Sequence, residues 1–357
     1  MIDRGAHGVV FQAADRHGIK VAIKWLTKRR DERELVTVVR LSKVVKGMPS
    51  ILSSGVLEDR TYFVMPYYER RSLGFRLRSL TFPQPVSEVI RLANAFTDVL
   101  GELHRHGFTY FDFKPDNLLI EALPSATEDA PGSLLRLDER LVLTDFGTAR
   151  TVNDEDRFGD GTMGYAAPEL FTKLIDHDPR VDVYAASAAL VECMTSIAPK
   201  QVRSTTEAAF EDHIFQLTGP FESILRRGLN FDPNHRPPTV SDWFNALRQQ
   251  AEAVETFQAR QQASAAKRNS ATKQKSEAHQ TSEMMIHRVA PTQPVKIGGY
   301  EQLGRPEPVS GDPRPDKASK KSDKSATERA IRHVVTCLLY TSPSPRDATL
   351  SRMPSAA

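Results

Sequence analysis

Cysteine is scarce in this chain of 357 residues. It has two, Cys193 and Cys337, too few for a disulfide framework or a cysteine zinc site. No run approaches the roughly 20 apolar residues of a membrane span, so we expect no span. The first residues, Met1-Ile2-Asp3-Arg4-Gly5, carry no apolar core of a secretory leader. We read the setting as reducing and cytoplasmic. No repeat recurs at a fixed period. Net charge is only +3, and the excess is basic at one end. Residues 251–336 hold 15 Lys+Arg against 10 Asp+Glu, and residues 337–357 two Arg against one Asp, which leaves residues 1–250 at −3. That part does not have the charge of a nucleic-acid-binding surface, and no nucleic-acid partner is expected.

What the chain does have is a change of period. Val9-Val10-Phe11 and Val21-Ala22-Ile23 flank a turn at Asp15–Gly18, and Thr61–Met65 is a third β run. Leu35, Val38, Val39 and Leu41 recur at near-helical spacing between them. From residue 86 the pattern is helical: Val86, Val89, Ile90, Ala93, Phe96, Val99, Leu100 and Leu103 share a face, and Gly107 follows as a stop. Leu118–Ile120 and Leu141–Leu143 read as short strands around an inserted loop, 121–136. Further helices are expected at about 181–195, 207–217, 221–228 and 239–260. Beyond about 262, Gln, Ala, Ser, Lys and Pro dominate, which predicts disorder.

Four strings stand out: Val21-Ala22-Ile23-Lys24, Asp112-Phe113-Lys114-Pro115-Asp116-Asn117, Asp145-Phe146-Gly147 and Ala167-Pro168-Glu169. Each alone is weak. A lone strand lysine is ordinarily surface decoration, and an Asp-Phe-Gly triplet ordinarily a turn. Their order and spacing together resemble the protein kinase family, over about residues 2–250. The fold this implies is α+β and two-lobed, with a small β-rich N-lobe of about 1–66 holding one helix and a larger, mostly helical C-lobe of about 70–260. We expect a kinase domain at 1–260 whose first strand is missing and a polar tail at 261–336. Residues 337–357 resemble translated sequencing-adaptor read-through rather than protein.

The resemblance assigns roles. Lys24 would hold the ATP phosphates and pair with Glu34 of the following helix, with Glu32 as rival. Asp112 would orient the nucleophilic hydroxyl and accept its proton. Lys114 would neutralise charge on the transferring phosphate, and Thr162 would touch both. Asn117 and Asp145 would bind Mg²⁺, their oxygens suiting a hard cation. Gly5 and Gly8 belong to a phosphate loop in which Asp3 replaces the first glycine. Met65 would guard the adenine pocket. The Pro66 carbonyl and the Tyr68 N–H would bond the base, and Val10, Ala22 and Leu119 would sandwich it. Glu169 would pair with Arg236, and Asp182 would brace the catalytic loop. These last three are scaffold, and they point to the protein-substrate branch.

The implied activity is phosphorylation of Ser/Thr hydroxyls on proteins, with ATP and Mg²⁺ as cofactors. The competing readings are a pseudokinase scaffold and a small-molecule phosphotransferase. One string departs from the family. Tyr110-Phe111-Asp112 stands where His-Arg-Asp is usual. Phe111 cannot receive an activating phosphate through charge-assisted hydrogen bonds as an arginine does. Activation is therefore expected not to depend on a phosphate docked there, even if Thr148, Thr151 or Thr162 is phosphorylated.

Overall fold

The computed structural model describes residues 3–4, 8–29, 33–124, 132–151, 161–171, 178–201 and 207–286. Gly5, Glu32 and the segment 337–357 lie outside the described residues. One compact unit takes in Met1–Val254 and a second takes in Glu255–Thr327.

The first unit begins with an antiparallel five-stranded sheet. Its strands are β1 (Asp3–Arg4), β2 (Gly8–Ala14), β3 (Lys20–Arg29), β4 (Ser53–Leu57) and β5 (Arg60–Pro66), in the order β1-β2-β3-β5-β4. The β2–β3 turn is made by Asp15, whose carboxylate accepts the N–H groups of His17 and Ile19, both at 2.8 Å. Side chains alternate along β3. Val21, Ile23 and Trp25 pack with Phe11 and Val64 on one face. Ala22 and Leu26 join the main core with Phe63 and Met65 on the other. Lys24 lies in that second series, so the pleat itself turns its side chain toward the interior, where α1 (Arg33–Ser42) lies between β3 and β4 in sequence. β4 was not anticipated: its Ser53-Ser54-Gly55 half lacks the β-branched signature.

The second lobe is built on helices. α2 (Leu73–Leu77) is followed by α3 (Val86–Arg105), which buries Val89, Leu92, Ala93, Phe96, Val99, Leu100 and Leu103. This is the face read from the sequence. β6 (Phe108–Thr109), β7 (Leu118–Ala122), β8 (Glu139–Leu143) and β9 (Arg150–Thr151) form two short antiparallel ladders, β6–β9 and β7–β8. α4 (Arg180–Thr195) is buried nearly all round, as a central helix must be. α5 (Asp212–Gln216), α6 (Glu222–Gly228) and α7 (Val240–Ile286) follow.

Three expectations change. The helix predicted over 207–217 contracts to α5. The inserted loop is not wholly peripheral, since Leu134 and Leu135 are buried in the main core. α7 continues to Ile286, past the start of the predicted disorder; Ala, Gln, Lys, Glu and Arg are strong helix formers even without an apolar face. Among the described residues, no helix is long and apolar enough to cross a membrane.

Candidate active site

Lys24 is 4% exposed, and two carboxylates meet its ammonium: Glu34 Oε1 at 2.5 Å and Asp145 Oδ1 at 3.0 Å. Burial alone would depress the lysine pKa. The negative charges of Glu34 and Asp145 overcome it and hold the pKa above its usual value, so the side chain is a fixed cation. Glu34 stands in the first turn of α1 and so points back at the sheet. Asp145 follows β8 and has φ of +61°, a left-handed conformation uncommon for a non-glycine residue. Gly8 pairs with Leu26, and a Cβ there would lie 2.7 Å from the Trp25 carbonyl oxygen. The backbone of β2 can therefore sit close over β3 only with glycine.

The second cluster surrounds Asp112. Asn117 donates from Nδ2 to both the Asp112 carbonyl and Oδ2, each at 2.9 Å. Lys114 Nζ lies 2.8 Å from Oδ2. The Thr162 N–H and hydroxyl donate to Oδ1 at 2.9 and 2.5 Å, and Lys114 also reaches the Thr162 oxygen at 2.5 Å. The carboxylate is thus held by four donors, so it cannot rotate freely. The turn Pro115–Asn117 places Asn117 at the entry of β7, while Asp145 leaves β8, its antiparallel neighbour. That ladder is what brings residues 112–117 and 145 to one end of the lobe.

Behind the cluster, Asp182 of α4 accepts the N–H groups of Tyr110 and Phe111 at 2.8 and 2.9 Å. His104 Nε2 is 2.8 Å from the same carboxylate, a partner the sequence pattern did not reveal because it sits at the exposed-looking end of α3. The Tyr110 ring meets Phe146 edge-on at 5.6 Å, and its hydroxyl donates to the Thr144 carbonyl. Phe111, with φ of +70°, is buried among Ala166, Ala167, Leu170, Val181 and Tyr184. Glu169 and Arg236 form a two-pronged ion pair at 2.5 and 2.8 Å, and the guanidinium also donates to the carbonyls of Asn230, Arg180 and Phe231.

The residues expected at the adenine pocket lie around the sheet's inner face. Val10 pairs with Lys24 and Ala22 with Met65. Ala22 and Met65 are buried in the core, Val10 packs against it, and Pro66 and Tyr68 are half-buried in the segment leaving β5. Leu119 is half-buried on β7 and bridged to Ser72. Thr148 is buried, and its hydroxyl donates to the Tyr110 carbonyl at 3.0 Å, which removes it as a surface acceptor of phosphate.

One ionic cluster was invisible in the sequence. The Glu139 side chain is fully buried and is held by Arg70, by both terminal nitrogens of Arg76 (2.6 and 2.8 Å) and by the Arg136 N–H (2.9 Å). Burial pushes its carboxyl up, but these hydrogen bonds outweigh that and hold the pKa at about 2. The cluster ties the segment after β5 and helix α2 to the start of β8. Its two arginine side chains lie 69 and 63 residues from Glu139, too far in sequence for any local pattern to pair them.

A sequence model described as the protein kinase domain matches residues 1–248. The chain is similar to the serine/threonine-protein kinase PknE of Mycobacterium tuberculosis, 28% identical over 272 residues that cover 68% of this chain and 44% of the relative. It is similar to the serine/threonine-protein kinase Sgk3 of Rattus norvegicus, 26% identical over 246 residues, 65% of this chain and 44% of the relative. A probable serine/threonine-protein kinase of Dictyostelium discoideum is 26% identical over 203 residues, 56% of this chain and 14% of the relative. The chain spans less than half the length of these relatives.

Proposed function

The chain belongs to the protein kinase family, and from that premise we propose that it transfers the γ-phosphoryl group of ATP to Ser or Thr hydroxyls of proteins in the cytoplasm. The observation that carries this reading is the pair of clusters on one ladder end: a buried lysine cation beside Asp145, and a four-donor cradle around Asp112.

Lys24 would hold ATP phosphates, its charge kept by Glu34. The residues fit a magnesium ion: Asn117 commits its Nδ2 to Asp112, which leaves its oxygen for a cation, and Asp145 supplies carboxylate oxygen. Magnesium held there would neutralise phosphate charge. Asp112 orients the acceptor hydroxyl and takes its proton as the oxygen bonds to phosphorus and the ADP oxygen leaves. Its four acceptor positions are all engaged here, so a substrate hydroxyl would exchange with that of Thr162. Lys114 would offset charge on the phosphoryl group in flight. Catalysis is then positioning plus electrostatics, with no covalent enzyme intermediate required.

Radiolabelled ATP and a generic protein acceptor, followed by phosphoamino-acid analysis, test the reading. Label on serine or threonine is expected. Label on tyrosine alone, or on a small alcohol but no protein, would overturn it.

A further inference from the structure

From the segment leaving β5 to the residue that caps the C-terminus of α2 lie four arginines: Arg70, Arg71, Arg76 and Arg78. They divide into two sets. Arg70 and Arg76 are consumed by the buried Glu139. Arg71 and Arg78 are exposed, and both guanidinium groups converge on one ring, that of Phe75, at 4.8 and 5.9 Å from its centroid. No carboxylate among the described residues pairs with either. Two like charges are therefore gathered on an aromatic face that is itself 47% exposed.

The arrangement is held by the backbone. Arg71 has φ of +58°, in the left-handed region. That conformation lets its N–H donate to the Tyr68 carbonyl at 3.0 Å and its carbonyl accept from Ile120 N–H on β7 at 2.8 Å. Ser72 caps α2 by accepting from Phe75 N–H, which fixes the ring's origin. The place is also close to the chemistry. α2 packs on the Pro115–Asn117 turn, and at Gly74 an ideal Cβ position lies 2.3 Å from Asp116 Oδ1, so the helix and the turn are in close contact. A guanidinium stacked on a ring keeps its N–H edge open for a bidentate carboxylate.

We propose that Arg71, Phe75 and Arg78 form a docking surface for an acidic stretch of the protein substrate, beside the catalytic turn. Charge complementarity selects this occupant: a cation pair on an aromatic platform, with no carboxylate partner among the described residues, is completed by carboxylates. The proposal rests on the reading that the chain phosphorylates proteins, but binding can be measured without transfer.

The test titrates the whole chain against a fluorescent glutamate-rich peptide containing one serine and against its glutamine twin, at low salt. The acidic peptide should bind about three- to ten-fold more tightly, the range of a few exposed ion pairs, and salt should erase the difference. The double substitution Arg71→Gln/Arg78→Gln should abolish the preference while the melting temperature stays unchanged. Arg248→Gln, at an exposed position of α7, should keep it. Equal affinity for the two peptides, or a preference that survives the double substitution, would overturn the proposal. Acidic preference without phosphoryl transfer would sink the kinase reading and leave the surface standing; transfer without preference would do the reverse.

Discussion

Phe111 occupies the position where the sequence reading expects an arginine, and replacing it with arginine gives a sharp prediction. The ring is 4% exposed and sealed by Ala166, Ala167, Leu170, Val181 and Tyr184, which offer no carboxylate. Phe111→Arg removes the burial of an aromatic side chain, about 1.5–3 kcal/mol. It also inserts a cation that loses water and meets no carboxylate among these five residues, at several kcal/mol unless the long stem carries the charge outward. A net loss of about 3 kcal/mol is expected. In a domain of this size each kcal/mol shifts the melting temperature by roughly 2–4 °C, so a drop of about 6–12 °C follows. Phe111→Leu keeps the apolar contact and should cost about 1 kcal/mol. Both variants share the strained left-handed backbone, so that term cancels in the comparison. Thermal unfolding followed by circular dichroism measures both. If the arginine variant melts with or above the leucine variant, the buried apolar role of Phe111 is wrong, and a docked anion at this position becomes the better account.

Glu34→Gln should leave the fold intact and raise KM for ATP together with a fall in kcat of about 10-fold or more, read in steady-state kinetics, because Lys24 loses the carboxylate that offsets its burial. Glu139→Gln should destabilise the protein by about 3 kcal/mol at pH 7. Its folded pKa is depressed, so that stabilisation is complete above about pH 4.5 and is lost as pH falls toward 2; denaturation curves of the two proteins should converge over that window. Thr151→Ala, at the half-buried end of β9, should retain activity within about threefold, and phosphatase treatment of the wild type should do the same. Thr148→Ala tests something else, since it removes the hydrogen bond to the Tyr110 carbonyl and should cost about 1 kcal/mol of stability.

Much of the fold was legible because its long elements carry clean periods. The apolar face of α3 and the β run Val21-Ala22-Ile23 could be read directly, and the family resemblance, with the helical spacing around α1, nominated Glu34 as the neighbour of Lys24. Glu169 and Arg236 could be paired only through the family template, since 67 residues separate them. What escaped was short or long-range. α2 has five residues, too few for a helical period, yet it carries Arg76 of the Glu139 cluster and the Phe75 ring under the exposed arginine pair. His104 carries no signal in the sequence, because only the fold brings Asp182 of α4 against it. Phe111 announced a missing phosphate clamp in the sequence. That it fills an apolar pocket behind Ala166 and Ala167 depends on packing that no local pattern encodes.

The most direct test of the central claim compares wild type, Asp112→Asn and Asp145→Asn in single-turnover transfer of labelled phosphate from ATP to a protein acceptor. Transfer by the wild type is expected. Asp112→Asn should lose about 10²-fold or more, from removal of the proton acceptor, and Asp145→Asn should show a comparable loss that higher magnesium partly restores. No transfer by the wild type, or undiminished transfer by Asp112→Asn, would contradict the claim.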